Sequence, residues 1–267
     1  MSTDPTGTLR PQRINLWWRF IRRVAEFIVR VVFSWRVDVR HLDRVPADGA
    51  AILAWNHHGY FDFVMVAWDI VRRMRRPVRV LAKRELWESR ATRWIVDGAL
   101  AIPVDRGHGA VALRDAQQAL AAGDLVMVAP EGTISPSFDL LPFKSGAVRL
   151  AQLSGAPIIP AIGWGTHRFY TKGNGPHLAR RVPVVVEYGE HLHVAPDEDL
   201  SLANERLRTA MADLLDRVQR DYADGTPDGA WWVPARLGGG APPHDDVLAR
   251  AERRTRDDDA PPTAKAG

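Results

Sequence analysis

The stretch Trp55-Asn56-His57-His58-Gly59-Tyr60-Phe61-Asp62 brings two histidines and a carboxylate close together between two apolar runs, Ala50 to Ala54 and Phe63 to Val71. A histidine that is to take a proton from a poor nucleophile such as an alcohol needs a carboxylate to fix its tautomer. Five positions across a tight strand-to-helix turn are enough for Asp62 to reach back to the ring of His57. The rival pair, His58 and Asp62 at four apart, can instead share one helix face as metal ligands. Both readings are open on these residues alone.

Further polar groups stand where apolar runs end. Ile102-Pro103-Val104-Asp105-Arg106-Gly107 closes one run with an arginine at a turn, and Lys83 closes another. Pro130-Glu131-Gly132-Thr133-Ile134-Ser135 follows the run Leu125-Val126-Met127-Val128-Ala129. Phe143-Lys144-Ser145-Gly146 opens a helix, which sets a lysine and free backbone N–H groups at a positive dipole end. If these ends share one sheet edge, His57, Lys83, Arg106, Glu131 and Lys144 converge as one base and several cations around a carboxylate, a site for a phosphorylated alcohol. Taken singly, Lys83 and Arg106 read as solvated surface charges, and Glu131 as a turn residue ahead of Gly132. His167, His177, His191 and His193 are scattered and read as surface or structural residues. They complete no metal ligand set around His57, His58 and Asp62.

The elements that must position these groups follow from periodicity. Short apolar runs at 37–41, 51–55, 78–82, 101–104, 124–129, 157–163 and 183–188 alternate with helical periods at 63–75, 85–97, 110–122, 145–154 and 204–223. That alternation predicts a single α/β domain over 36–224, with a mixed, largely parallel sheet flanked by helices. In such a sheet the crevice at the carboxyl ends of the strands is the usual ligand site.

Flanking segments differ in character. Residues 1–13 are polar and read as a disordered tail, as do the Pro- and charge-rich residues 241–267. Over 14–35, Arg19, Arg22, Arg23, Glu26 and Arg30 fall within roughly 100° of a helical wheel whose remainder is apolar. Spanning a bilayer would bury several arginines at ~2.5–3.5 kcal/mol each. Lying flat leaves them among anionic headgroups, which predicts an interfacial helix, peripheral or monotopic on the cytoplasmic face of the cell membrane. The alternative is a helix packed on the domain core, and the two can hold together on opposite flanks. Residues 225–240 read as irregular, and Trp231-Trp232 either meets the membrane interface or packs back on the domain.

The chain has 267 residues, no cysteine, ten tryptophans and a formal net charge of +4. The missing cysteine excludes disulfides, thiol nucleophiles and cysteine zinc sites. The charge favours acidic partners. Nucleic acid is not expected among them, because Arg72-Arg73 and Arg75-Arg76 lack the aromatic interleaving of a base-stacking surface. The abundance of Ala, Arg and Asp fits a GC-rich bacterial genome.

Taken in order, the blocks resemble the glycerol-phosphate and lysophospholipid acyltransferases, the 1-acylglycerol-3-phosphate O-acyltransferase-like group. Asn56-His57 and Asp62 match its first block, Ile102 to Arg106 its second, Pro130 to Ser135 with Phe143 to Gly146 its third, and Ala156-Pro157-Ile158-Ile159-Pro160 its fourth. The resemblance implies His57 as general base on an acceptor hydroxyl and Asp62 as the group orienting it. It also implies Lys83 and Arg106 on the acceptor phosphate, with Glu131, Gly132, Thr133 and Lys144 lining the site. The implied reaction is direct attack by the hydroxyl of a lyso-glycerolipid on an acyl thioester, acyl-CoA or acyl carrier protein, at the membrane surface and without a cofactor or metal. One position departs. Ile134 stands where the family commonly has arginine, so either other cations hold the phosphate or the acceptor carries a larger or less charged headgroup. A metal-dependent hydrolase and a non-catalytic lipid-binding relative are the competing readings.

Overall fold

A computed structural model of the chain describes residues 23–24, 26–98, 100–105, 109–178 and 180–259. Seven strands form one sheet: β1 (Arg36–Arg40), β2 (Ala51–Trp55), β3 (Val78–Lys83), β4 (Ile102–Val104), β5 (Leu125–Val128), β6 (Ile158–Trp164) and β7 (Pro183–Tyr188), in the order β1-β7-β6-β2-β5-β3-β4. The pair β6–β7 is antiparallel, and every other neighbouring pair is parallel. This is the mixed, largely parallel sheet expected from the alternation of runs.

Burial on both faces explains the unbroken apolar runs. In β2, Ile52 and Ala54 face one core while Ala51, Leu53 and Trp55 face the other. β5 divides the same way, with Val126 and Val128 on one side and Leu125 and Met127 on the other. A strand buried on both faces has no polar alternation to show. One face is covered by α3 (Gly109–Ala121), α4 (Gly146–Ser154) and α5 (Leu200–Arg220). The other is covered by α1 (Asp62–Asp69), which runs into a π-helical turn Ile70–Met74 ended by Arg75 at φ 57°. Helix α2 (Arg90–Gly98) lies between β3 and β4 in the chain. α5 begins ahead of the expected 204 because the Asp199 carboxylate caps it, accepting from the N–H groups of Ser201 and Leu202.

Residues 1–22 and Ala25 lie outside the described residues, and with them the expected N-terminal tail and nearly half of the expected amphipathic helix. The described remainder has two sides. Val29, Phe33 and Trp35 are buried, and Phe33 stacks on Trp35 at 5.0 Å and meets the edge of Phe169 at 4.6 Å. Val24, Phe27 and Val31 are exposed, as are Arg23 and Arg30. Among the described residues, no helix is long and apolar enough to cross a membrane.

The C-terminal segment departs from expectation. Trp232 and Val233 are buried, so the tryptophan pair packs back on the domain. Residues 241–267 were expected as a disordered tail, yet α6 (His244–Asp259) occupies part of that stretch, and 260–267 lie outside the described residues. A mostly polar helix hides its tie to the fold: buried Val247, and a 2.9 Å hydrogen bond between His244 Nδ1 and Ser137 Oγ.

Candidate active site

β2 ends at Trp55, and the chain turns through Asn56–Phe61 into α1, whose first residue is Asp62. The turn is held from within. Asp62 Oδ2 accepts from the N–H groups of His58 and Gly59, both at 2.6 Å, and lies 3.9 Å from His57 Nδ1. That separation is too long for a hydrogen bond and short enough for an ion pair once the ring is protonated. Among the described residues Nδ1 has no hydrogen-bond partner and is sealed from solvent, while 22% of the His57 side chain remains exposed. The ring meets the edge of Trp55 at 4.7 Å. Nδ1 therefore faces Asp62, and the open edge of the ring carries Nε2.

The second histidine does different work. His58 is fully buried, and its Nδ1 accepts from Asn56 Nδ2 at 3.0 Å, which places the ring proton on Nε2. Burial holds its pKa down at about 3, only partly offset by Asp62, so the ring stays neutral. Asn56 also exchanges two hydrogen bonds with the backbone of Gly163, at 2.7 and 2.9 Å, which ties this turn to β6. His58 is thus a core residue. Among the described residues no group of three His, Cys, Asp or Glu side chains is placed to hold a metal ion.

β5 ends beside β2 and delivers the loop 130–135. Glu131, expected to line the acceptor pocket, is instead 4% exposed and braced against backbone. Oε1 accepts from the His57 N–H and Oε2 from the Leu141 N–H, both at 2.9 Å. Burial pushes its pKa up to about 8 against the opposing pull of those two N–H groups. The Ser135 N–H donates to the His57 carbonyl at 2.8 Å. Both backbone groups of His57 are therefore held by the loop that carries Glu131. Gly132 sits at φ +66°, and a Cβ there would stand 3.2 Å from Lys144 Nζ, so a glycine lets the lysine lie across the loop. Thr133 is half-buried beside it. Ile134 is 5% exposed, packed in rather than displayed toward a headgroup.

Lys83 is exposed at the end of β3, two strands from β2, about 10 Å by ladder spacing. Arg106 lies outside the described residues; β4, which leads to it, pairs Val104 with Lys83. His57, Glu131 and Lys144 are thus brought together, with Lys83 on the same sheet edge.

Sequence reasoning missed the segment after β6. A 3-10 turn, Thr166–Arg168, lies against the Asn56–Phe61 turn, and the Thr166 hydroxyl donates to Asp62 Oδ1. Thr171 Oγ1 donates to the His58 carbonyl at 2.5 Å, and the Tyr60 N–H donates to the Tyr170 carbonyl at 3.1 Å. A Cβ on Gly59 would meet the backbone of His167 and Tyr170 at 3.0 Å, so the two segments touch where only glycine fits. His167, expected at the surface or in a structural role, is fully buried; its Nε2 lies 3.0 Å from the Trp232 carbonyl, and burial holds its pKa down at about 4. No single-sequence pattern marks these contacts, because they join residues about a hundred positions apart.

Comparison with known proteins bears on this arrangement. The family model described as Acyltransferase matches residues 36–164. The 1-acyl-sn-glycerol-3-phosphate acyltransferase of Bacillus subtilis is 29% identical over 72% of this chain and 92% of its own length. The alpha form from Homo sapiens is 28% identical over 77% of this chain and 72% of its own. A crystal structure of the 1-acyl-sn-glycerophosphate (LPA) acyltransferase, PlsC, from Thermotoga maritima shares the fold, with a TM-score of 0.64 at 22% identity over 77% of this chain and 81% of that one.

Proposed function

We propose, on the match of residues 36–164 to the family model described as Acyltransferase, that the open edge of His57 serves as general base in moving an acyl group from a thioester to the hydroxyl of 1-acylglycerol-3-phosphate. The observation that carries the reading is the sealed Nδ1, 3.9 Å from Asp62, on a ring whose backbone is held on both sides. His57 Nε2 takes the acceptor's hydroxyl proton as the oxygen attacks the thioester carbonyl carbon. The ring becomes an imidazolium, and the fixed Asp62 carboxylate stabilises its charge across the short gap. When the tetrahedral intermediate collapses, the C–S bond breaks and the proton on His57 passes to the leaving thiolate. No enzyme nucleophile takes part, which suits a chain without cysteine.

Lys144, poised over Gly132, and Lys83 supply positive charge for the acceptor phosphate, and Arg106, two positions beyond Val104 in the sequence, adds to it. The exposed Val24, Phe27 and Val31 beside Arg23 and Arg30 favour contact with an anionic membrane surface, where such an acceptor resides. The cytoplasmic face is the side where acyl-CoA and acyl carrier protein are found.

The test is thiol release from palmitoyl-CoA and from palmitoyl carrier protein, each with lysophosphatidate, other lysophospholipids or no acceptor. The expected result is acceptor-dependent release greatest with lysophosphatidate, cut about 10²–10⁴-fold in His57→Ala. Undiminished release in that variant would remove His57 from the role of base.

A further inference from the structure

Asp62 can support His57 only if its carboxylate is kept from rotating away. Oδ2, the oxygen nearest His57, is held by two backbone N–H groups of its own turn. Oδ1 is held from outside that turn by the hydroxyl of Thr166, which is fully buried at the end of β6. Without that donor one carboxylate oxygen would be buried with its hydrogen bonding incomplete, and the plane of the carboxylate would lose one of its fixed points.

Thr166 is itself built in. The next residue, His167, is tied to the Trp232 carbonyl, and the Arg168 guanidinium lies 4.1 Å over the Trp232 ring and pairs with Asp224 at 2.6 Å. The 3-10 turn is thereby clamped to the C-terminal segment. Its far side packs on the catalytic turn through Tyr170 on Tyr60, with ring centres 4.4 Å apart, and Phe169 on Phe61 at 5.2 Å. Thr166 lies beyond the residues matched to the acyltransferase family.

We infer that Thr166 is a positioning residue for catalysis: its hydroxyl fixes the Asp62 carboxylate so that Oδ2 faces His57. The inference rests on the His57–Asp62 reading above. It predicts a defect in turnover rather than in substrate capture, since Thr166 is buried behind Asp62 and does not line the open side of the ring.

The experiment compares wild type, Thr166→Val, Thr166→Ser, His57→Ala, Asp62→Asn and the double variant Asp62→Asn/Thr166→Val. Each is assayed on lysophosphatidate with palmitoyl-CoA or palmitoyl carrier protein, whichever wild type turns over faster, and checked for cooperative thermal unfolding. Thr166→Val is expected to lower kcat about 10- to 100-fold with KM for both substrates within about threefold of wild type. Thr166→Ser, which keeps the donor, is expected to stay within about threefold in kcat. Adding Thr166→Val to Asp62→Asn is expected to cost little more, because both act through one carboxylate. A fully active Thr166→Val, a serine variant as impaired as the valine, or additive losses in the double variant would each overturn the inference. If Thr166→Val does not fold, Thr166→Ala takes its place in the same comparison. Full activity in His57→Ala would instead refute the underlying assignment of the base, an outcome separate from any result at Thr166.

Discussion

Replacing Glu131 with glutamine separates a group that holds the base from one that holds the substrate. The carboxyl oxygens each accept one backbone N–H at 2.9 Å, from His57 and from Leu141. Even when protonated, a carboxyl keeps a lone pair on each oxygen, whereas an amide nitrogen has none to offer. Turned either way, the glutamine sets an NH2 group against one of the two backbone N–H groups. Leaving one buried donor unsatisfied costs about 1–3 kcal/mol, and at about 2–4 °C per kcal/mol for a domain of this size the unfolding midpoint should fall by several degrees. If the displaced donor is that of His57, the base shifts on its own backbone, and kcat should drop about tenfold or more with acceptor KM nearly unchanged. The pH dependence gives a second reading. The carboxyl titrates near 4.5 when unfolded and at about 8 when folded, so the folded state holds the extra proton between those values. Stability from this group is therefore fully present below about 4.5 and is lost as pH rises toward about 8. The wild-type minus variant difference in unfolding midpoint should shrink over that window. Thiol-release kinetics with varied lysophosphatidate, and thermal unfolding from pH 4 to 9, make the measurement. An unchanged midpoint together with a large rise in acceptor KM would refute the argument and place the carboxylate on the substrate.

Further outcomes follow from the same geometry. Lys144→Ala should raise KM for lysophosphatidate about tenfold, a loss of about 1.4 kcal/mol of binding, and leave KM for an uncharged monoacylglycerol unchanged; equal effects on both acceptors would mean that the lysine does not meet the phosphate. Trp232→Ala removes a buried ring that contacts Arg168 and Tyr222, and should cost about 3–5 kcal/mol in chemical denaturation; a loss below 1 kcal/mol would show that the C-terminal segment is not part of the cooperative fold. The double variant Phe27→Glu/Val31→Glu alters two exposed side chains, so stability should stay within about 0.5 kcal/mol while flotation with anionic vesicles is lost. Retained flotation would assign membrane contact to another surface.

The sheet was legible in the sequence because strands buried on both faces leave continuous apolar runs, and all seven runs became strands. Helix ends were less so. The Asp199 cap moved the start of α5, and the π-helical turn Ile70–Met74 continues α1 without a break in its apolar period. α6 was hidden by composition: a helix attached through Val247 and His244 needs few apolar residues. In the site, the spacing of His57 and Asp62 was readable, and so was the approach of Lys144 to the Glu131 loop. The task of Glu131 was not. A carboxylate that braces backbone N–H groups has the same letter in the sequence as one that faces a ligand, and only its 4% exposure separates the two.

That difference has a general cause in this fold. The residues proposed for the chemistry, His57 and Asp62, are carried by the turn after a single strand, so their spacing is fixed locally and leaves a pattern in the chain. Residues that hold them must come from the neighbouring strand ends, because β2 lies between β6 and β5. One neighbour supplies Glu131 to the backbone of His57, and the other supplies Thr166 to the side chain of Asp62. Each brace reaches the catalytic turn from one side of the sheet edge, at sequence separations set by the crossovers and unrelated to the chemistry. Losing the β5-side brace should move the whole base, backbone included. Losing the β6-side brace should move only the carboxylate behind it. Both variants leave a buried polar group short of a partner and should cost stability, but the turnover defect of Thr166→Val should vanish once Asp62 is already Asn, whereas that of Glu131→Gln should persist. If Asp62→Asn abolished the turnover defect of Glu131→Gln as well as that of Thr166→Val, the two braces would be parts of one structural unit rather than separate supports for the base and its carboxylate.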